Sequence, residues 1–381
     1  MSLQTTRIAI VGAGLSGLYA AYLLEQQGIK DYVLLEARDT LGGRIASVAA
    51  SGPPATVTAT SAAGIDPIDR IDLGPAWFWP GYQPQLGRLV DALGLASFAQ
   101  HETGDTVVER SAHEPPARVR GYANSPASMR LVGGMGALTD ALHRRLDAAC
   151  IHTGQAVRRL RCTPQQVELD SEDTHGQGTT WRAEHVLLAL PPRLLESSIE
   201  FMPALPSALA LQWRATATWM APHAKYIAVY DTPFWRENGL SGEARSAHGP
   251  LGEIHDASMP GGSAALFGFF GVPAHVRQSV PEAELKAHCR TQFVRLFGNQ
   301  ASTPKAEFIK DWALDPFTAT AADLESTGQH AQAPPTTATS GPWTGRLTGI
   351  ASEWSPQFPG YVAGAVEAAS LGVEGLRSLG L

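Results

Sequence analysis

The sequence predicts an α/β protein: a Rossmann-like dinucleotide-binding domain, βαβ with a Gly-x-Gly-x-x-Gly turn, joined to a second region of mixed sheet. Three observations carry this expectation. A short apolar run, Ile8-Ala9-Ile10-Val11, leads into Gly12-Ala13-Gly14-Leu15-Ser16-Gly17 and then into a helical pattern through Leu18, Tyr22 and Leu23. A second apolar strand, Tyr32-Val33-Leu34-Leu35, ends at the acidic Glu36, nineteen residues after Gly17. Far downstream, strands predicted over 226–230 and 264–270 belong to a more aromatic region.

In chain order, Gly28 stops the first helix, and the strand at 32–35 completes one βαβ unit. That context makes the glycine pattern specific, because the pattern alone recurs by chance. Residues 49–66, rich in Ala, Ser, Thr, Pro and Gly, predict a surface excursion before the chain returns at Ile71-Asp72-Leu73. Leu86, Leu89, Val90 and Leu93 recur at helical spacing, and a further helix over 135–148 carries Leu138, Leu142 and Leu146 on one face after Gly133-Gly134. Residues 186–190 form an apolar strand closed by Pro191-Pro192. A polar loop over 331–342 precedes a strand over 346–352 and a helix beginning near Tyr361, so the chain returns to α/β character at its end.

With 381 residues and 44% hydrophobic content, the chain can bury a large core divided between two domains. Its 29 basic and 36 acidic residues give a formal charge of -7, and no basic run with interleaved aromatics tracks a phosphate backbone, so nucleic acid is not an expected partner. Cys150, Cys162 and Cys289 have neither metal-ligand spacing nor a disulfide-framework count. The expectation is a cytoplasmic protein without a structural metal. No signal-peptide pattern opens the chain and no stretch approaches the ~20 apolar residues of a spanning helix, so membrane attachment is not expected. Composition says nothing about oligomeric state.

In a dinucleotide site the first glycine permits the tight turn, the second lets the backbone approach the pyrophosphate, and the third lets helix and strand pack closely. Gly12, Gly14 and Gly17 fill those positions, with Ser16 in the helix's first turn, where free amides and the helix dipole favour a diphosphate. Glu36 is placed to accept from ribose hydroxyls and repels a 2'-phosphate, which disfavours NADP.

The continuation Glu36-Ala37-Arg38-Asp39-Thr40-Leu41-Gly42-Gly43-Arg44 resembles the extended fingerprint of the flavin-containing amine oxidases. Three further segments are similar to that family: Asp72-Leu73-Gly74-Pro75-Ala76-Trp77, Gly133-Gly134-Met135-Gly136-Ala137-Leu138, and the terminal Phe358-Pro359-Gly360-Tyr361-Val362-Ala363-Gly364-Ala365. The resemblance implies non-covalently bound FAD. It places Gly43, Arg44 and, near the adenosine, Arg38 on the cofactor, with Gly74, Pro75, Ala76 and Trp77 beside the flavin ring. Val157 would pack the adenine, Glu353 would bind a ribityl hydroxyl, and Gly360, Tyr361 and Val362 would open a helix aimed at the flavin. It also implies an FAD-binding domain from 1–79, 133–214 and 316–381, and a discontinuous substrate domain from 80–132 and 215–315. The helical part of the latter is shortened, since only 96–132 separate Leu95 from Gly133.

The chemistry implied is oxidation of an amine C–N bond by hydride transfer to flavin N5. Molecular oxygen is the acceptor, and imine and hydrogen peroxide are the products. The expected catalytic residues are Lys225, at the family's place for a lysine holding a water against N5, and Tyr361, one aromatic wall of the substrate cage. Counting ungapped from Trp312, which resembles the family's tryptophan, puts the opposite wall at Ala322 and the covalent-flavin cysteine position at Ala321. Neither alanine can do those jobs, so the cage is open or completed by another residue such as Phe317 or Trp354. Trp77, Phe78, Trp79 and Tyr82 are either replacement wall or core. Two alternatives remain: a desaturase or dehydrogenase acting on carbon–carbon bonds, favoured by the missing wall, and a flavin-bound module without catalysis.

Overall fold

The protein is described by a computed structural model covering residues 2–52, 68–325 and 332–380, with side chains described from Gln4 onward. Most of the excursion predicted over 49–66, and residue 331 of the predicted loop, lie outside the described residues.

The N-terminal strand Ser2–Val11 lies inside an eight-stranded sheet, parallel to Tyr32–Leu35 on one side and to Gly178–Leu188 on the other. Ile151–His152 extends the parallel run past Tyr32–Leu35, and Leu347–Gly349 pairs in parallel with Gly178–Leu188. Beyond it, Val167–Glu172 and Ala156–Cys162 run antiparallel, and Glu200–Met202 closes the edge. Successive strand side chains point to opposite faces. Ile8, Ile10 and Leu34 therefore enter a core shared with the helices Leu15–Gln26, Gly136–His143 and Val362–Ser378. Ala9, Val11, Val33 and Leu35 enter a separate core with Trp181, Trp213 and Trp354. Both faces are covered, which is why these strands read as unbroken apolar runs.

The second sheet runs Ala306–Asp311, Ala224–Tyr230, Ala264–Phe270, Leu251–Asp256, Leu240–Ser246, Asp105–Glu109, Ala117–Arg120. One face, with Tyr226, Ala228, Tyr230 and Leu266, packs on Phe293, Leu296 and Phe297 of the helix Glu282–Phe297. The opposite face carries Ile227, Val229, Ala265 and Phe267, and the same alternation sets Lys225 and Phe269 there.

Some elements are shorter than their patterns. The helix predicted over 135–148 ends at His143, and Asp147 accepts from the Ala149 amide to open a separate 3₁₀ turn, Ala148–Cys150. The strand predicted over 346–352 is Leu347–Gly349, because the chain turns into the 3₁₀ segment Ser352–Trp354. Ala189 and Leu190 leave the ladder just before Pro191. Among the described residues no helix is long and apolar enough to cross a membrane.

Candidate cofactor and active-site cleft

The glycine turn is held by contacts no side chain could replace. Gly12 has φ 99°, and a Cβ there would sit 2.9 Å from the Ala189 carbonyl oxygen. A Cβ on Gly17 would fall 1.9 Å from the Gly12 carbonyl oxygen, so strand end and helix start are in backbone contact. Gly14 precedes the helix Leu15–Gln26 without a side-chain cap, no acidic residue occupies the first turn, and Gly14 bridges Gly42 across the turn. The helix's leading amides therefore face the cleft with the geometry and dipole that suit an anion. Glu36 is buried, and its two oxygens accept from the Ala13 amide at 2.7 Å and the Arg38 amide at 2.9 Å. It ties the glycine turn to the second strand while keeping lone pairs for a ligand.

Arg44 forms a two-pronged ion pair with Glu353, at 2.5 and 3.0 Å, and donates to Ser352 Oγ at 3.1 Å. Burial opposes the Arg44 charge, but Glu353 more than compensates, raising the guanidinium above its ordinary pKa. The two residues assigned from the sequence to pyrophosphate and ribityl chain thus meet each other. Arg38 reaches Asp315 at 2.5 Å and Thr318 at 3.2 Å and lies over the Phe317 ring, tying the first βαβ unit to 315–318. Val157 lines the same cleft from Ala156–Cys162, where the register shifts between Val157 and Arg159. Gly74 packs on Arg44, since a Cβ there would lie 2.1 Å from the Arg44 carbonyl oxygen. Trp312 is buried, with Nε1 toward the Leu73 carbonyl at 3.4 Å and Lys310 over its ring. Gly360 has φ 82°, and Tyr361 precedes the helix Val362–Ser378, again without a side-chain cap.

These segments surround one cleft of about 1130 Å³, above the ~300–1,000 Å³ usual for small-ligand sites and of a size for a dinucleotide plus substrate. It is lined by Gly12, Gly14, Ser16, Glu36, Ala37, Arg38, Gly43, Arg44, Gly74 to Trp77, Val157, Trp312, Gly360, Tyr361 and Val362. Gly17 and Glu353 stand behind this lining, Gly17 through the Gly12 carbonyl and Glu353 through Arg44.

Lys225 lies at the aromatic end and is 3% exposed. A lysine ending a strand in solvent is excluded. Its Nζ donates to the Gly74 carbonyl at 2.6 Å and the Asp72 carbonyl at 3.2 Å and sits 4.4 Å from the Phe267 ring centroid. Burial lowers the ammonium to about 8, against the pull of Asp72 and with the push of Arg130. Direct cross-strand partners run Lys225–Phe269, Phe269–Glu253 and Glu253–Arg245, so these four cleft-lining side chains stand in one row on one sheet face. At about 4.8 Å per strand, Glu253 lies roughly 10 Å from Lys225. Desolvation opposes the Glu253 charge, but His255 and Arg245 hold its carboxyl below the usual range.

The expected cage positions require correction. Ala321 and Ala322 are exposed on the short helix Ala321–Leu324 and do not line the cleft, so the ungapped count from Trp312 does not reach it. Trp354 is buried 5.5 Å from Trp213 in the core behind the sheet, and Phe317 carries Arg38. The ring that meets Tyr361 is Trp219, at 5.2 Å between centroids and tilted 44°. Trp77 and Trp79 line the cleft, Phe78 is core and Tyr82 is exposed. Sequence reasoning also missed His223, whose imidazole burial and Arg277 push below its ordinary value, and Arg245 and Glu253. Trp219 and His223 sit in a turn without periodicity; the two charged residues share a row only through strand register.

Residues 115–373 match the family model described as flavin containing amine oxidoreductase, and residues 10–93 match an NAD(P)-binding Rossmann-like domain. The chain is 26% identical to probable flavin-containing monoamine oxidase A of Dictyostelium discoideum, across 62% of this chain and 51% of the relative, so it spans about half the length of that relative. It is 23% identical to putrescine oxidase of Kocuria rosea, across 85% of this chain and 86% of the relative. The fold resembles that of cyclohexylamine oxidase from Brevibacterium oxydans IH-35A, with a TM-score of 0.77 at 19% identity, covering 99% of this chain and all (100%) of the other.

Proposed function

The chain belongs to the flavin containing amine oxidoreductase family and is a flavin-dependent oxidoreductase; on that premise we propose that it binds FAD non-covalently and oxidises the C–N bond of an amine, with dioxygen as acceptor. When bound, the flavin would supply the two-electron chemistry, transfer of a hydride equivalent from the carbon bearing the neutral amine and its passage on to oxygen, with imine and hydrogen peroxide as products. The chain's residues do the rest. Gly12, Gly14, Ser16 and Gly17 build the uncapped helix start for the pyrophosphate, Glu36 takes the ribose, and Arg44, held from behind by Glu353, lines its path with Arg38, Ala37 and Val157. Residues 1–79, 133–214 and 316–381 form the cofactor domain in this reading, and 80–132 and 215–315 the substrate domain.

The observation that carries the proposal is Lys225. An ammonium has three donors, and two are taken by the Asp72 and Gly74 carbonyls. The third serves the cleft, in a poorly solvated place where positive charge best stabilises the negative charge developing on reduced oxygen. Trp219 beside Tyr361 supports an amine substrate, because an aromatic surface attracts a cationic or polar nitrogen and excludes water. At 5.2 Å the two rings are in contact, so substrate lies against the pair rather than between its members. That surface weighs against the carbon–carbon desaturase, whose attraction was a missing wall. Anaerobic mixing of the yellow protein with an amine library tests the proposal: bleaching of the flavin absorbance, followed by peroxide on admitting air, is expected. A flavin that no amine bleaches would refute it.

Trp219→Ala should raise KM for amines about tenfold, equivalent to ~1.4 kcal/mol, with a smaller change in kcat; steady-state peroxide assays check it. FAD should leave intact on acid or heat precipitation, since none of the three cysteines lines the cleft. Yellow precipitate would contradict that. Glu36→Ala should weaken FAD retention by roughly 1.5–3 kcal/mol, the worth of hydrogen bonds to a charged acceptor, read as flavin lost on dialysis.

A further inference from the structure

A second cavity, of about 520 Å³, lies between the segments 98–103 and 258–264. Its size falls within the ~300–1,000 Å³ of small-molecule sites. It shares no lining residue with the cofactor cleft, but a hydrogen bond links the two, from Trp77 Nε1 in the cleft to Gln100 Oε1 in the cavity at 2.8 Å. Two guanidinium groups line the cavity, and neither is fully engaged. Arg130, 2% exposed, donates Nη1 to the Ser258 carbonyl and Nη2 to the Ala257 carbonyl, each at 3.0 Å. Both acceptors are neutral, and the buried Nε has no acceptor among the described residues. Arg236 gives Nε and Nη2 to Asp256 at 2.7 and 2.9 Å, which leaves Nη1 without an acceptor among the described residues. Asp256 has nothing left to offer Arg130, since it also accepts from Trp235 Nε1 and the Ser258 amide, both at 2.8 Å. A third nitrogen of the lining, His101 Nε2, is likewise buried without a partner.

We propose that this cavity is a second ligand site, for a small organic monocarboxylate held by Arg130, Arg236 and His101, with its apolar body against Phe98 and Met259. A buried guanidinium facing only neutral acceptors is costly, and a ligand that brings negative charge relieves it. Burial first, and the Arg236 charge as well, push the Arg130 guanidinium below its ordinary value, and Asp72 and Asp256 only partly offset them. An imidazole Nε2 donates in one neutral tautomer and in the charged form, so His101 can join the two arginines on an anion. The acids of the lining decide which anion. Asp231 pairs with Lys305, and Glu102 accepts from the Asn124 amide and side chain. Their charges disfavour a phosphate dianion more than a monoanion. Phe98, which lies under the Arg130 guanidinium at 5.1 Å, Met259 and Pro260 supply apolar surface for an organic body. Gln100 donates to the Asp256 carbonyl at 2.8 Å as well as holding Trp77, so an occupant bears on a residue that anchors the cleft wall.

Isothermal titration of the flavin-loaded protein with benzoate tests the site without using turnover, so its outcome is independent of whether amines are oxidised. Benzoate should bind at one site per chain and leave the flavin absorbance unchanged. Benzamide, neutral and of the same shape, should bind about tenfold or more weakly, as expected for loss of hydrogen bonds to a charged group. Inorganic phosphate should not displace benzoate. Arg130→Met should weaken benzoate about tenfold or more. Ala99→Trp places bulk at an exposed position of the cavity lining, should block binding, and serves if Arg130→Met does not fold. Trp219→Ala, in the cofactor cleft, should leave benzoate affinity as in wild type. No binding at millimolar benzoate, equal affinity for benzamide, displacement by phosphate, or wild-type affinity in the foldable Arg130 and Ala99 variants would each overturn the inference. So would benzoate that perturbs the flavin spectrum and is lost in Trp219→Ala, because it then occupies the cleft.

Discussion

Arg44→Met should cost the fold on the order of 3 kcal/mol, because it strips a buried carboxylate of its partner. Glu353 is 3% exposed at its side chain and accepts both prongs of the Arg44 guanidinium, with Ser352 as its remaining contact. Left alone, that charge must stay unpaired at full desolvation cost or take up a proton. Chemical denaturation of the flavin-free protein should show the loss as a lower midpoint. Adding Glu353→Gln should recover much of it, since two neutral groups leave no stranded charge. The single variant should also release flavin more readily, because Arg44 lines the cleft beside the uncapped helix. Equal midpoints for wild type and Arg44→Met would mean that the pair is solvated enough to contribute nothing.

Lys225→Met should slow reoxidation of the reduced protein by oxygen about tenfold or more, at least ~1.4 kcal/mol of barrier. Methionine keeps the stem volume, so packing against Phe267 and Phe269 is retained. The carbonyls of Asp72 and Gly74 lose their donor, a cost of about 1–3 kcal/mol that a domain stable by ~5–15 kcal/mol can bear. What disappears is a positive charge where oxygen gains electrons, so reduction by amine should change less than reoxidation. Stopped-flow mixing of photoreduced wild type and variant with oxygenated buffer, following recovery of oxidised flavin absorbance, measures it. Equal rates would remove Lys225 from the reaction.

The sequence by itself determined whatever depends on neighbours in the chain. The βαβ unit is set by an apolar run, a three-glycine turn in which Gly12 and Gly17 admit no Cβ, and Glu36 closing the next strand. Each is a local backbone demand, so it leaves a local residue pattern. The terminal Gly360-Tyr361-Val362 turn was legible for the same reason. Tertiary structure alone decided what lies opposite Tyr361. Trp219 reaches it from a turn with no periodicity, and an ungapped count led instead to Ala321 and Ala322, two exposed positions of a short helix. It likewise decided that Arg44 meets Glu353 across more than 300 residues, that Asp72 stands behind Lys225, and that strand register lines Lys225, Phe269, Glu253 and Arg245 in one row. Side-chain partnerships across sheets follow from which strands pair and in what register, and a one-residue slip would turn the whole row to the other face.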